Sequence, residues 1–98
     1  MNDFLQDLID IIEQRKANPE PDSYTNSLLA DPVRAAQKVG EEGTEVVVAA
    51  LAQSDDRLLN EMADLVYHSL VLLSSRNLEW RQVLDTLEQR HRKALPED

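Results

Sequence analysis

Two acidic stretches, KVGEEGTE at residues 38–45 and EMAD at residues 61–64, decide the fold of this chain. Both run into apolar sequence, and within each of them acidic residues recur three positions apart. That spacing places side chains on one face of a helix. The polar pair Ser54-Asp55 lies between the stretches, close to the point at which folding back would bring their acidic residues level. The two stretches therefore predict two long helices that form an antiparallel hairpin.

The rest of the chain also favours helices, because it has only two glycines and no stretch that alternates with period two. Asn18-Pro19 ends the first apolar stripe, and Asp31-Pro32 supplies an N-cap followed by a proline at the first helical position. A short helical turn is expected around residues 27–30. The predicted fold is all-α, a single domain over residues 1–98 built as a four-helix-type bundle, with helices at residues 3–16, 32–53, 56–76 and 79–93.

Composition excludes several classes of protein. Nineteen acidic and ten basic residues give a net charge of −9, which argues against nucleic-acid binding, since the phosphate backbone is bound by clustered Lys and Arg. The absence of cysteine removes disulfides and thiolate metal sites. The N-terminal residues 1–16 carry acids throughout and predict neither a signal peptide nor a membrane span. We therefore expect a cytoplasmic protein that binds no membrane.

Residues 65–73 (LVYHSLVLL) are apolar nearly all the way round a helix, which is typical of a helix packed on more than one side. Only 42% of the chain is apolar, and four helices of this size are not expected to cover that segment alone. This pattern predicts a homodimer or a larger homo-oligomer.

The acidic residues are candidate metal ligands. Glu42 and Glu45 share one face of their helix, Glu61 and Asp64 share one face of the next, and the hairpin would bring the four carboxylates together. Acidic residues on helices are usually solvated, but these four border apolar sequence. Facing carboxylates repel at low dielectric, and a divalent cation relieves the repulsion. All-carboxylate ligation suits Mg²⁺, with Mn²⁺ as the alternative, and disfavours structural Zn²⁺.

Two further residues share these faces. Lys38 lies one turn before Glu42, where it can either contact a phosphate or form an ion pair with that glutamate. His68 lies one turn after Asp64, where it can contact substrate, support a ligand or be an ordinary hydrogen-bonded histidine of the helix packing. A close approach by another helix would explain one of the two mid-helix glycines, Gly40 and Gly43, and flexibility tolerated by the neighbouring packing is an equal alternative for Gly43.

Several motifs together resemble the phosphoribosyl-ATP pyrophosphohydrolase family of histidine biosynthesis, within the all-α nucleoside-triphosphate pyrophosphohydrolase superfamily. The EExxE and ExxD elements resemble the superfamily, whereas SYT at residues 23–25, KVGEE at residues 38–42 and DLVYH at residues 64–68 resemble this family more specifically. The sequence departs from the family pattern in two places: Gly43 stands where alanine is usual, and Asp31-Pro32 replaces the more usual glycine before the second predicted helix.

The resemblance implies a reaction and roles for individual residues. The expected reaction is hydrolysis of the α–β phosphoanhydride of phosphoribosyl-ATP to phosphoribosyl-AMP and pyrophosphate, with Mg²⁺ held by the four carboxylates named above. Glu41 is the candidate base or support for the ligands, and Lys38 would offset charge on the leaving group. Lys38 and His68 are candidate substrate-binding residues, together with Ser23, Tyr24 and Thr25, whose alternative role is that of a capping turn.

Two alternatives to this function stay open at the level of sequence. A housekeeping pyrophosphohydrolase that acts on free nucleoside triphosphates would have the same metal site, and only substrate competition separates it from the first hypothesis. A helical interaction module without catalysis is disfavoured, since such a protein has no need to cluster four carboxylates beside a core.

Overall fold

Five helices form the part of the chain that the computed structural model describes, residues 3–94. They are α1 (Phe4–Ala17), α2 (Tyr24–Leu29), α3 (Pro32–Ala52), α4 (Asp55–Ser75) and α5 (Trp80–Ala94). No strand occurs between residues 3 and 94, so the all-α prediction is confirmed for that range. The predicted single domain also includes residues 1–2 and 95–98, which lie outside the described residues.

Side-chain caps explain where the first four helices begin. Each is preceded by an Asp or Ser whose side chain accepts a hydrogen bond from the backbone N–H three residues later, and these caps are Asp3, Ser23, Asp31 and Ser54. Such a bond satisfies one of the N–H groups that a helix leaves unpaired at its start. The cap at Ser23 starts α2 at Tyr24, three residues earlier than the short turn expected from the sequence. Tyr24 and Thr25 therefore lie in a helix and not in a loop.

Helices α3 and α4 form the predicted hairpin. The connection between them consists of Gln53 and Ser54 alone, and the two helices pack closely along each other. Helices α1 and α2 pack against α4, and α2 also packs against α3. The buried apolar core lies where these four helices meet and consists of Ile12, Leu28, Ala35, Leu70 and Val71.

The apolar segment at residues 65–73 is partly covered within one chain: three of its residues are buried and the other six are half-buried. Leu70 is 4% exposed and Val71 is fully buried, because α1 and α2 pack over this part of α4. One chain therefore buries the middle of this segment and leaves its other residues half-buried, and the predicted homo-oligomer stays a prediction. Large exposed apolar side chains lie elsewhere, and many of them are near the connected ends of the hairpin: Val47, Val48, Leu51, Leu59 and Met62.

The C-terminal end of α4 is hydrogen-bonded to α1. Lys16 Nζ donates hydrogen bonds to the backbone carbonyl of Ser74 and to Asn77 Oδ1, both at 2.7 Å. Asn77 has a φ of 59°, the left-handed conformation that commonly ends a helix. The chain then turns into α5, whose Trp80 packs on the core. Among the described residues, no helix has the length and apolar character needed to span a membrane.

Candidate metal centre and substrate site

Three carboxylates meet across the α3–α4 hairpin. One oxygen from each of Glu42, Glu45 and Glu61 lies within 4.8 Å of the others. Glu42 is 5% exposed and Glu61 is 7% exposed, whereas Glu45 is exposed. Two buried carboxylates this close to a third repel one another in their ionised form, and a divalent cation between them would remove that repulsion.

In each of the two buried glutamates, one carboxylate oxygen has a partner and the other has none. Glu42 Oε1 lies 3.4 Å from Lys38 Nζ, and Glu61 Oε1 lies 3.1 Å from Arg57 Nη2, so each is paired with a cation one turn earlier on its own helix. The Oε2 atoms of both glutamates are buried and have no hydrogen-bond partner among the described residues. Buried polar atoms are nearly always paired, so two orphaned carboxylate oxygens in one cluster fit a cation ligand.

Two predicted site residues lie outside this three-carboxylate cluster. Asp64 is exposed one turn beyond Glu61 on α4, and its carboxylate is not within the cluster distance. Glu41 is also exposed, and its Oε1 lies 3.4 Å from Lys38 Nζ. Neither carboxylate takes part in the three-carboxylate cluster in this structure.

Lys38 bridges the neighbouring glutamates Glu41 and Glu42 on the same helix. Burial lowers the pKa of this lysine, but the nearby Tyr24 hydroxyl and the two glutamates outweigh that effect, so the pKa lies above 10.5. Lys38 is therefore fully charged at neutral pH. The cation stands beside both the carboxylate cluster and Tyr24, where it can attract a bound phosphate.

His68 connects α2 to the helix that carries Glu61 and Asp64. Its Nδ1 lies 2.7 Å from the backbone carbonyl of Asp64, and since a carbonyl can only accept, Nδ1 donates. In the neutral ring Nε2 then accepts from the Tyr24 hydroxyl, which lies 2.8 Å away. His68 is 6% exposed, and both ring nitrogens are engaged. This geometry matches a positioning role more closely than direct contact with substrate.

The other two residues of the SYT motif hold α2 in place. Ser23 caps the helix, and the Thr25 hydroxyl is hydrogen-bonded to that of Tyr67 on α4. Burial raises the pKa of Tyr67, the bond from Thr25 lowers it, and Tyr24 raises it, with a net increase. Tyr24 is 44% exposed, with its ring beside Tyr67 and His68, so it is the residue of the motif that a ligand can reach most easily.

Sequence reasoning missed two arginines of this region. Arg57 was identifiable, because it stands four residues before Glu61 in the spacing that pairs opposite charges on a helix. Arg34 stands one turn before Lys38, and its guanidinium carbon lies 5.7 Å from the centre of the Tyr24 ring. The contact between Arg34 and Tyr24 depends on how α2 packs on α3, which residue spacing alone does not give.

The hairpin and its carboxylates define an all-α protein with a candidate divalent-metal centre between two helices. Comparison with known proteins identifies the group within that class. The family model described as phosphoribosyl-ATP pyrophosphohydrolase matches residues 5–91. The chain therefore belongs to the phosphoribosyl-ATP pyrophosphohydrolase family.

Individual relatives are of two lengths. A phosphoribosyl-ATP pyrophosphatase of Clostridium acetobutylicum is 40% identical over 96% of this chain and 86% of its own length. One of Caulobacter vibrioides is 46% identical over 92% of this chain and 84% of its own. A histidine biosynthesis bifunctional protein of Xylella fastidiosa is 47% identical over 91% of this chain. In that case the chain spans less than half of the relative, 44% of its length.

Proposed function

We propose that this protein hydrolyses the α–β phosphoanhydride of phosphoribosyl-ATP, with phosphoribosyl-AMP and pyrophosphate as products, as an early step of histidine biosynthesis. Membership of the family and the printed names of the single-function relatives support this reaction. The observation that carries the proposal is the three-carboxylate cluster, in which two buried oxygens have no partner.

Glu42, Glu45 and Glu61 are the residues that would hold Mg²⁺, or Mn²⁺, with Asp64 as the fourth ligand after a change of side-chain rotamer. The ion supplies charge neutralisation at the polyphosphate and a lower pKa for a bound water. An acidic chain with a net charge of −9 would otherwise repel its substrate. Lys38 and Arg57 stay paired with Oε1 of the buried glutamates, which leaves both Oε2 atoms for the ion.

The remaining residues of the site would orient the substrate. Lys38 is charged and contacts Glu42 of the cluster, a position from which it can stabilise negative charge that develops on the departing pyrophosphate. Tyr24 offers an exposed ring, and His68 fixes its hydroxyl relative to α4. Glu41 is proposed to accept a proton from the attacking water or to support a ligand, since its carboxylate is exposed to solvent and shares Lys38 with Glu42 of the cluster.

The assembly and location of the enzyme are also proposals. Exposed apolar side chains near the hairpin connection support a homodimer or a larger homo-oligomer. The excess of acidic residues supports a small nucleotide as the partner and argues against nucleic acid. A cytoplasmic location agrees with a step in amino-acid biosynthesis.

Pyrophosphate release distinguishes this function from the housekeeping alternative. The purified protein is assayed with phosphoribosyl-ATP, ATP and dCTP at equal concentrations, with Mg²⁺ and with a chelator. We expect kcat/KM for phosphoribosyl-ATP to exceed that for the free nucleotides by at least about 100-fold, a ratio typical of a site built for additional polar groups. Chelation should abolish the activity. Equal or faster hydrolysis of the free nucleotides would contradict the proposal and favour the alternative.

A further inference from the structure

Arg34 is an exposed cation beside the proposed site that the mechanism so far does not use. Its guanidinium carbon lies 5.7 Å from the centre of the Tyr24 ring, within the range of a cation–π contact. Its Nη1 lies 3.5 Å from the Ser27 hydroxyl, at the limit of a hydrogen bond. No carboxylate of residues 3–94 forms an ion pair with it. In a chain with a net charge of −9, an arginine without such a pair is available for an anion from solution.

Arg34 also lies in line with the rest of the site. Arg34, Lys38 and Glu42 follow one another at intervals of four residues on α3, so they share one face of the helix. The helical rise separates Arg34 from Glu42 by about 12 Å along the axis. Arg34 therefore stands at one end of a row that begins at the three-carboxylate cluster, with Lys38 between them.

The proposed substrate has anionic groups at both ends. Phosphoribosyl-ATP carries a triphosphate and, on its additional ribose, a phosphate monoester separated from it by the adenosine unit. Free ATP and dCTP have no such second phosphate. A cation well away from the metal centre would therefore let a protein distinguish phosphoribosyl-ATP from free nucleotides.

We propose that Arg34 binds the phosphate monoester of the phosphoribosyl group and so determines specificity, an inference that rests on the proposed function. The planar guanidinium can donate two parallel hydrogen bonds to one phosphate, and no ion pair with a carboxylate of residues 3–94 competes for it. Tyr24 is tied through His68 to the backbone of Asp64, so the arginine is held at a defined position relative to the metal-binding carboxylates.

The competing role for Arg34 is to hold Tyr24 in place. In that case its removal would disturb a ring that every nucleotide substrate contacts, and hydrolysis of all nucleotides would decline together. Contact with the phosphate monoester has a different consequence, because only substrates that carry that group would be affected. The ratio of the two activities separates these roles.

The kinetic test compares wild type with Arg34→Gln, Arg34→Lys and the control Arg90→Gln, which removes the charge of an exposed arginine on α5. With saturating Mg²⁺, Arg34→Gln should lower kcat/KM for phosphoribosyl-ATP about 100-fold and change kcat/KM for ATP less than about threefold. Arg34→Lys should have an intermediate effect, since it keeps the charge and loses the paired hydrogen bonds. Arg90→Gln should match wild type on both substrates.

Binding of reaction products provides a readout that needs no turnover. By calorimetry, Arg34→Gln should weaken binding of phosphoribosyl-AMP at least about tenfold and leave AMP unchanged, and ribose 5-phosphate should inhibit wild type but not the variant. Equal losses on both substrates, or unchanged binding of phosphoribosyl-AMP, would overturn the role of Arg34 while leaving the proposed function intact. A wild-type protein that does not hydrolyse phosphoribosyl-ATP would overturn both.

Discussion

Glu45 is the residue of the carboxylate cluster at which charge can be removed most cleanly. Glu42 and Glu61 are buried, and an amide at either position would leave buried N–H groups without partners, at a cost of about 1–3 kcal/mol. Glu45 is exposed, so Glu45→Gln removes one candidate ligand without that penalty. Any change in activity or in Mg²⁺ binding of Glu45→Gln can then be attributed to the metal site and not to a loss of folding.

Bound Mg²⁺ should stabilise the wild-type protein, by about 2.7 kcal/mol at a concentration 100 times its Kd. Glu45→Gln should lose most of the corresponding rise in Tm, and its kcat/KM should fall at least about 100-fold, since a metal contributes several kcal/mol to such a transition state. Without Mg²⁺ the variant should be at least as stable as wild type, because one repelling charge is gone. Thermal unfolding with and without Mg²⁺ measures both effects.

The control for this variant is Glu88→Gln, which neutralises an exposed glutamate of α5 that pairs with Arg92. This change should leave the Mg²⁺-dependent rise in Tm and the activity intact. An Mg²⁺ effect of wild-type size in Glu45→Gln would mean that Glu45 is not a ligand.

Lys38 is the residue at which metal binding and substrate binding can be separated. Lys38→Ala is expected to lower kcat/KM for phosphoribosyl-ATP about 100-fold while Mg²⁺ affinity stays close to that of wild type, because the proposed role of this charged lysine is to stabilise the leaving group and not to bind the ion. Calorimetric Mg²⁺ titration and steady-state kinetics on the same variant provide the two values.

Two other results for Lys38→Ala would exclude that role. A change in turnover below about threefold would show that Lys38 is only the ion-pair partner of Glu42, since pairs at this spacing contribute a few tenths of a kcal/mol. A large loss of Mg²⁺ affinity would place the lysine in support of the metal-binding residues and not of the substrate.

At the scale of helices, the residue spacing predicted the hairpin and most of its cluster. A two-residue connection leaves little choice of register between α3 and α4, so Glu42, Glu45 and Glu61 could be placed near one another before the structure was known. Asp64 could not be placed in the same way, because its distance from the cluster depends on a side-chain rotamer. Spacing fixes the face of a helix and not the direction of each carboxylate.

Contacts between elements that are distant in sequence were the part that could not be predicted. The bond from Tyr24 to His68 joins residues 44 positions apart and requires α2 to pack on α4. The early start of α2 had a local signal, since serine at residue 23 is a common helix cap, but a six-residue helix is too short to show an apolar period.

The glycines of α3 supply a prediction for that helix. No atom of the described residues outside the local backbone lies within 4 Å of a Cβ added at Gly43, so no close approach within this chain explains the glycine. Gly43→Ala should raise the free energy of unfolding by about 0.5–1 kcal/mol, since alanine loses less backbone entropy in a helix. Denaturant unfolding measures the gain, and activity should be unchanged.

The matched control is the reverse change on the same helix. Ala50 is exposed in α3, and Ala50→Gly should lower the free energy of unfolding by a similar amount. A loss of stability in Gly43→Ala would contradict the prediction and would indicate that something outside this chain approaches residue 43.

At the scale of the whole molecule, the chain is more extended than its length requires. Its radius of gyration is 15.6 Å, compared with about 13 Å for a compact domain of this size. Helices α1 and α2 pack around the core, which lies away from the hairpin connection, so the connected ends of α3 and α4 project with few neighbours. Projecting helices with exposed apolar side chains are a surface suited to a second copy of the chain.

The location of this surface determines which substitution tests assembly. Leu70 is 4% exposed inside the core, so Leu70→Glu should unfold the protein and cannot report on association alone. Leu59 is 67% exposed on α4 near the hairpin connection, so a glutamate there is compatible with a folded chain. Val33 is 69% exposed near the start of α3, at the opposite end of the hairpin, and provides the control.

Wild type and Val33→Glu should sediment as a dimer or larger at micromolar concentration, whereas Leu59→Glu should sediment as a monomer that keeps its helical circular dichroism. The physical reason is that a buried glutamate without a partner costs several kcal/mol at an interface and nothing comparable on a free surface. Sedimentation velocity measures the masses. A wild-type monomer at these concentrations would exclude the homo-oligomer, and a Leu59→Glu dimer would place the interface on another face, such as the exposed Leu84 and Leu87 of α5.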